Sequence, residues 1–89
     1  MPTREVTIIN RLGLHARAAA RFVTVASHYP AEIQVARGDR SVNGKSIMGV
    51  MMLAAGRGKQ IEIHTEGEQA EAALDALCTL IADRFGEAE

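Results

Sequence analysis

Glu5-Val6-Thr7-Ile8-Ile9-Asn10-Arg11-Leu12-Gly13-Leu14-His15-Ala16-Arg17-Ala18-Ala19-Ala20-Arg21-Phe22-Val23-Thr24-Val25-Ala26 holds two different periodicities on either side of a glycine-containing loop. Before the loop, Val6 and Ile8 alternate with Glu5 and Thr7, which predicts a strand with one buried face. After it, Ala19, Phe22, Val23 and Ala26 recur at helical spacing, with Arg17, Arg21 and Thr24 elsewhere on the cylinder. Asn10 to Gly13 is the connecting loop. Ser27 to Pro30 stops the helix, because proline biases the residue before it away from helical backbone.

The same alternation of periods continues outward. Ile33 and Val35 alternate with Glu32, Gln34 and Ala36 in a second strand. A Gly38-Asp39 turn leads to a short third strand at Ser41-Val42, and Asn43-Gly44 is another turn. Ser46 is a favoured helix N-cap, preceding the apolar segment Ile47 to Leu53, and Ile47, Val50, Met51 and Ala54 lie at helical spacing. Gly56 to Lys59 is a loop. Ile61 and Ile63 alternate with Gln60, Glu62 and His64 in a fourth strand, which Gly67 ends. The last helix carries Ala70, Ala73, Leu74, Leu77, Ile81 and Phe85 on one stripe, with acidic Glu68 and Glu71 favouring its N-terminal end and Gly86 closing it. The order is βαββαβα. The economical packing is α+β: a four-stranded antiparallel sheet with three helices on one face. Glu5, Thr7, Gln34, Glu62 and His64 supply the polar outer face.

The chain has 89 residues, which predicts one domain spanning 1–89 with an accessible surface of roughly 5,000 Å². So small a core leaves little room for a drug-sized pocket of about 300–1,000 Å³, so function is expected at the surface, with partners. Net charge −1 and 3% aromatic residues lack the basic, stacking footprint of nucleic-acid binding. The same two features weigh against an RNA-binding domain of similar element order. The single cysteine, Cys78, excludes an internal disulfide and fits a reducing compartment. Met1 to Glu5 has no signal-peptide character, and the run Ile47 to Gly56 is about half of a membrane span. The expectation is a cytoplasmic monomer that binds neither nucleic acid nor membrane.

His15 is the candidate for chemistry. It falls where a glycine loop enters a helix, whose first N–H groups, near Ala16, Arg17 and Ala18, and positive dipole end suit phosphate. Arg17 adds a guanidinium matched to phosphoryl oxygens. Neutral imidazole is the nucleophile, and both the helix terminus and Arg17 favour that form. The plain alternative is a histidine that caps the helix. Gly44-Lys45-Ser46 is not a phosphate-binding loop, because Gly38 and Gly44 are separated by five residues and that motif needs four. Ser46 is a cap or a phosphorylation site at a helix start. Met48, Met51 and Met52 sit on a helix too short to bury every side, with Met51 expected partly inside and Met48 more exposed. Neither His28 nor His64 has ligand spacing with Cys78, so no metal or other cofactor is expected.

Gly13-Leu14-His15-Ala16-Arg17, followed by small residues, closely resembles the phosphohistidine signature of the HPr family, the histidine-containing phosphocarriers of the bacterial phosphoenolpyruvate-dependent phosphotransferase system. Val42-Asn43-Gly44-Lys45-Ser46-Ile47-Met48-Gly49-Val50-Met51-Met52-Leu53 resembles that family's regulatory serine region. The resemblance covers essentially the whole chain and implies the HPr-like open-faced β-sandwich. It implies that His15 accepts a phosphoryl group on Nδ1 from phosphorylated enzyme I and passes it to an enzyme II A component or a related regulator. The chain would thus be a carrier between enzymes and not itself an enzyme. Arg17 would hold phosphoryl oxygens, and HPr kinase/phosphorylase would modify Ser46. Ala20, Arg21, Ile47, Met48 and Met51 would form the docking patch. The chain departs from the family pattern at Ala18, where proline is usual, and at Thr24, Ser27 and Gly49, where some relatives carry lysine.

Overall fold

The computed structural model describes residues 2–89. Four strands, β1 (Thr3–Thr7), β2 (Glu32–Arg37), β3 (Arg40–Asn43) and β4 (Gln60–Glu66), alternate with three helices, α1 (Ala16–Ala26), α2 (Ile47–Met52) and α3 (Ala70–Ala82). The sheet order is β1-β4-β2-β3, and every neighbouring pair is antiparallel. The period-2 reading holds in the central strands β2 and β4. Ile33, Val35, Ile61 and Ile63 are buried on the inner face, while Glu32, Gln34, Gln60 and Glu62 face outward. Register places Val35 opposite Ile63 and Gln34 opposite His64, so each face is uniform across the central pair.

The helices cover the inner face. Ala18, Ala19, Phe22 and Ala26 of α1 pack with Val50 of α2 and with Ala73, Leu74, Leu77 and Ile81 of α3 in one core. Burying a side chain such as Phe22 or Leu77 stabilises the fold by about 1.5–3 kcal/mol each. On the outer face Thr3 Oγ1 bonds His64 Nδ1 at 3.0 Å, and His64 Nε2 bonds Glu62 at 2.9 Å.

Three elements end earlier than the sequence reading. β1 stops at Thr7, ahead of Ile8, and α2 stops at Met52, ahead of Leu53 and of Ala54, which lies at φ 52°. The third is α3. The apolar stripe continues to Phe85, but α3 ends at Ala82. Arg84, Phe85 and Gly86 follow at φ 55°, 54° and 78°. This left-handed turn still buries Phe85 completely, so burial preserved the stripe while the backbone left the helix. Left-handed backbone at two non-glycine residues costs free energy. The buried ring and a hydrogen bond from Arg21 Nη1 to Phe85 O oppose that cost. The turn reverses the chain and brings Glu87 back to the start of α1.

Candidate functional site

His15 occupies the N-cap position of α1 with extended backbone (φ −73°, ψ 176°), and its side chain makes no capping bond. The alternative of a merely capping histidine is therefore not what the side chain does. Its Nε2 instead bonds Glu87 Oε2. The two side chains are 27% and 16% exposed, so the contact is partly shielded while the imidazole remains reachable. Among the described residues, His15 Nδ1 has no hydrogen-bond partner.

The loop that delivers His15 is fixed by close backbone contacts. Gly13 has φ +67°, and a Cβ there would lie 2.7 Å from both Ala55 O and Gly56 Cα. Only glycine allows that approach. Leu14 N–H donates to Ala55 O at 2.9 Å, tying the loop to the segment that follows α2. Asn10 is fully buried, and its Nδ2 donates to Gly13 O at 2.8 Å and to Glu87 Oε1 at 3.0 Å. Two acceptors around one nitrogen fix the amide's orientation. Asn10 thus joins the loop to the carboxylate that holds the histidine.

The electrostatics differ from the sequence expectation in one respect. Sequence alone placed only positive groups about His15, because Glu87 is distant in the chain. Partial burial raises the Glu87 carboxyl's affinity for a proton. Hydrogen bonds from Asn10 and His15, with the charges of His15 and Arg21, outweigh that and hold it below the usual glutamate range. An anionic carboxylate therefore faces His15 Nε2.

Arg17 is exposed on the first turn of α1 and lines the same surface concavity as His15, Leu12, Ala16 and Glu87. The first intrahelical bond runs from Ala19 N–H to His15 O at 2.9 Å, so the N–H groups of Ala16, Arg17 and Ala18 lie ahead of it at the helix start. Ser46 is the N-cap of α2, its Oγ accepting from Gly49 N–H at 3.1 Å, as its position predicts. Ile47, Met48 and Met51 are exposed by 43%, 71% and 39%, matching the expected division between Met48 and Met51. Met52, named with these methionines in the sequence, is exposed too, and so is Leu12, which was not singled out. Ala20 is half-buried and Arg21 exposed. Arg21 is also committed to the turn after α3, a role the helical pattern did not reveal. Glu87 and Asn10 are what sequence reasoning missed. Gly86 was legible as a stop, but nothing local told which way the chain would turn.

Among the described residues no three or more His, Cys, Asp or Glu side chains come together as a metal site, and no helix is long and apolar enough to cross a membrane.

Known proteins share both sequence and fold with this chain. The family model described as the PTS HPr component phosphorylation site matches residues 2–83. Phosphocarrier protein HPr of Pseudomonas aeruginosa is 61% identical over 90 residues, covering 100% of both chains. Phosphocarrier protein NPr of Shewanella violacea is 46% identical, over 96% of this chain and 93% of that one. A crystal structure of HPr from Thermoanaerobacter tengcongensis superimposes with a TM-score of 0.96 at 42% identity over 100% of both chains. A structure described as an HPr dimer from the same organism gives a TM-score of 0.79 at 42% identity, over 98% of this chain and 100% of that one. With a family match over nearly the whole chain, a relative at 61% identity and the same four-stranded fold, the chain belongs to the HPr family of phosphocarrier proteins of the phosphotransferase system.

Proposed function

We propose that His15 is the phosphoryl carrier of this protein, accepting the group on Nδ1 from phosphorylated enzyme I and delivering it to an enzyme II A component or a related regulator. The observation that carries this reading is the placement of His15. Its imidazole stands at a helix start, about a quarter exposed, with Nε2 engaged by Glu87 and Nδ1 without a partner among the described residues. Transfer between two histidines is mostly positioning and charge stabilisation. Arg17 and the backbone N–H groups of Ala16, Arg17 and Ala18 take the phosphoryl oxygens. The second histidine comes from the partner. No metal or cofactor on this chain enters the reaction. Ile47, Met48 and Met51 on α2, with Ala20 and Arg21 on α1, form the docking patch. Arg21 keeps donors to offer, since a guanidinium has five N–H groups and one is given to Phe85 O. The working unit is the one domain of residues 1–89, a cytoplasmic monomer.

The test is incubation with phosphoenolpyruvate, Mg²⁺ and enzyme I. The expected result is one acid-labile phosphate per chain, absent from His15→Ala. Label that persists in His15→Ala contradicts the reading.

A second reading, a regulatory module switched at Ser46 by HPr kinase/phosphorylase, draws support from the position of Ser46. Its Oγ lies at the start of α2, immediately before the exposed Ile47 and Met48. A phosphate there adds about −1.5 to −2 charge beside the docking methionines. Ser46→Asp is expected to slow phosphoryl uptake from enzyme I. Unchanged uptake with unchanged partner binding removes the switch and leaves His15 chemistry intact.

A further inference from the structure

Among the described residues, Glu87 is the one acidic side chain hydrogen-bonded to the proposed phosphoryl acceptor, and it reaches His15 because the chain turns back after α3. The turn is held at several points. Phe85 is fully buried, Arg21 Nη1 donates to Phe85 O, and Arg11 N–H donates to Glu89 O at 3.0 Å. The carboxylate itself is held on both oxygens, Oε1 by Asn10 at 3.0 Å and Oε2 by His15. An ionised carboxylate only accepts hydrogen bonds. The shared proton therefore belongs to Nε2, and the neutral ring has its lone pair on Nδ1.

From this geometry we infer that Glu87 is a positioning residue, holding the ring proton of His15 on Nε2 so that Nδ1 remains the nucleophile. The inference deepens, and for its role in transfer rests on, the reading of His15 as the acceptor. In uptake, the Nδ1 electron pair forms the bond to phosphorus while the donor's N–P bond breaks, its pair returning to the donor nitrogen. The Nε2 proton stays in place, so the His15 ring gains one positive charge, directly opposite the Glu87 carboxylate. In delivery the Nδ1–P bond breaks, its pair returns to Nδ1, and the ring is neutral again. No proton moves at His15 in either direction. A carboxylate that orients an imidazole and compensates its developing charge is a known catalytic device. Here it is supplied by a turn that Arg21 helps to lock.

The test is ¹⁵N NMR of histidine-labelled, unphosphorylated protein at a pH where His15 is neutral. It needs no phosphoryl donor, so its outcome is separate from that of the labelling experiment on His15. The wild type is expected to show Nε2 protonated and Nδ1 unprotonated. In Glu87→Ala the proton is expected to be shared between the two nitrogens, moving their resonances toward one another. Glu87→Gln keeps the side-chain length but offers one acceptor oxygen to two donors, Asn10 Nδ2 and the His15 ring N–H, and is expected to lie between the wild type and Glu87→Ala. A simple loss of packing would not produce this order. A Glu87→Ala spectrum that superimposes on the wild type, or a wild type protonated on Nδ1, overturns the inference.

Discussion

Ala18 is the third residue of α1 and has no exposed surface, yet its N–H precedes the first intrahelical bond. Proline there would forfeit no helical hydrogen bond and would restrict the unfolded chain. Ala18→Pro is expected to stabilise the protein by about 0.4–1 kcal/mol, which raises Tm by roughly 2–8 °C. Thermal denaturation checks this, and a lower Tm means that the ring does not fit the buried site. Gly13 is the opposite case. Its left-handed φ and the backbone 2.7 Å from a Cβ position leave alanine no space. Gly13→Ala is expected to cost about 2 kcal/mol or more, read as a shifted urea midpoint. A wild-type midpoint contradicts the close approach. Gly13 and His15 were legible as residues in the sequence, but the partners that define their roles were not. Ala55 and Glu87 lie far along the chain, and no periodicity encodes a contact between two loops.

At the scale of elements, α2 is the least self-sufficient. It has six residues and no basic residue in its last turn, too short to be stable alone. The β2–β3 hairpin supplies what it lacks. Arg37 Nη1 donates to Leu53 O at 3.0 Å and to Ala54 O at 3.2 Å, and Arg40 Nη1 reaches Met52 O. These cations satisfy carbonyls that no helical N–H can reach and complement the dipole's negative end. Replacing both arginines by alanine is expected to loosen the end of α2 by about 1 kcal/mol. Amide exchange at Leu53 and Ala54 is the measurement, and it should speed up severalfold. Unchanged exchange would show that the arginines merely rest on the surface. Strands and helices were legible wherever one face is buried, as in β2, β4 and α1, because burial writes its period into the chain. The end of α3 was not, since Phe85 falls on the helical stripe in the sequence yet is buried from a left-handed turn.

For the whole molecule, the accessible surface is 4924 Å², and the Cα extents are 32 × 27 × 20 Å. That area agrees with the estimate from chain length, and it fits the idea that a carrier this small presents its histidine for partners to enclose. The segment after α3 couples the site to overall stability. Glu87 is held below its ordinary proton affinity in the folded protein. Its stabilising contribution is therefore complete above the usual glutamate range and is lost as pH falls through the lower folded value. The Tm difference between wild type and Glu87→Gln is expected to be largest near neutral pH and to narrow on acidification. Asn10, His15 and Arg21 are the partners whose favourable contacts are lost. A difference that does not change with pH would mean that the charge of Glu87 does not matter to folding.

Carriage of the phosphoryl group on Nδ1 of His15 is checked most directly by phosphorylating histidine-labelled protein with enzyme I and phosphoenolpyruvate and recording ¹⁵N spectra with and without phosphorus decoupling. A phosphorus coupling on His15 Nδ1, with Nε2 protonated, is the expected result. A coupling on Nε2, or on a histidine other than His15, would contradict it.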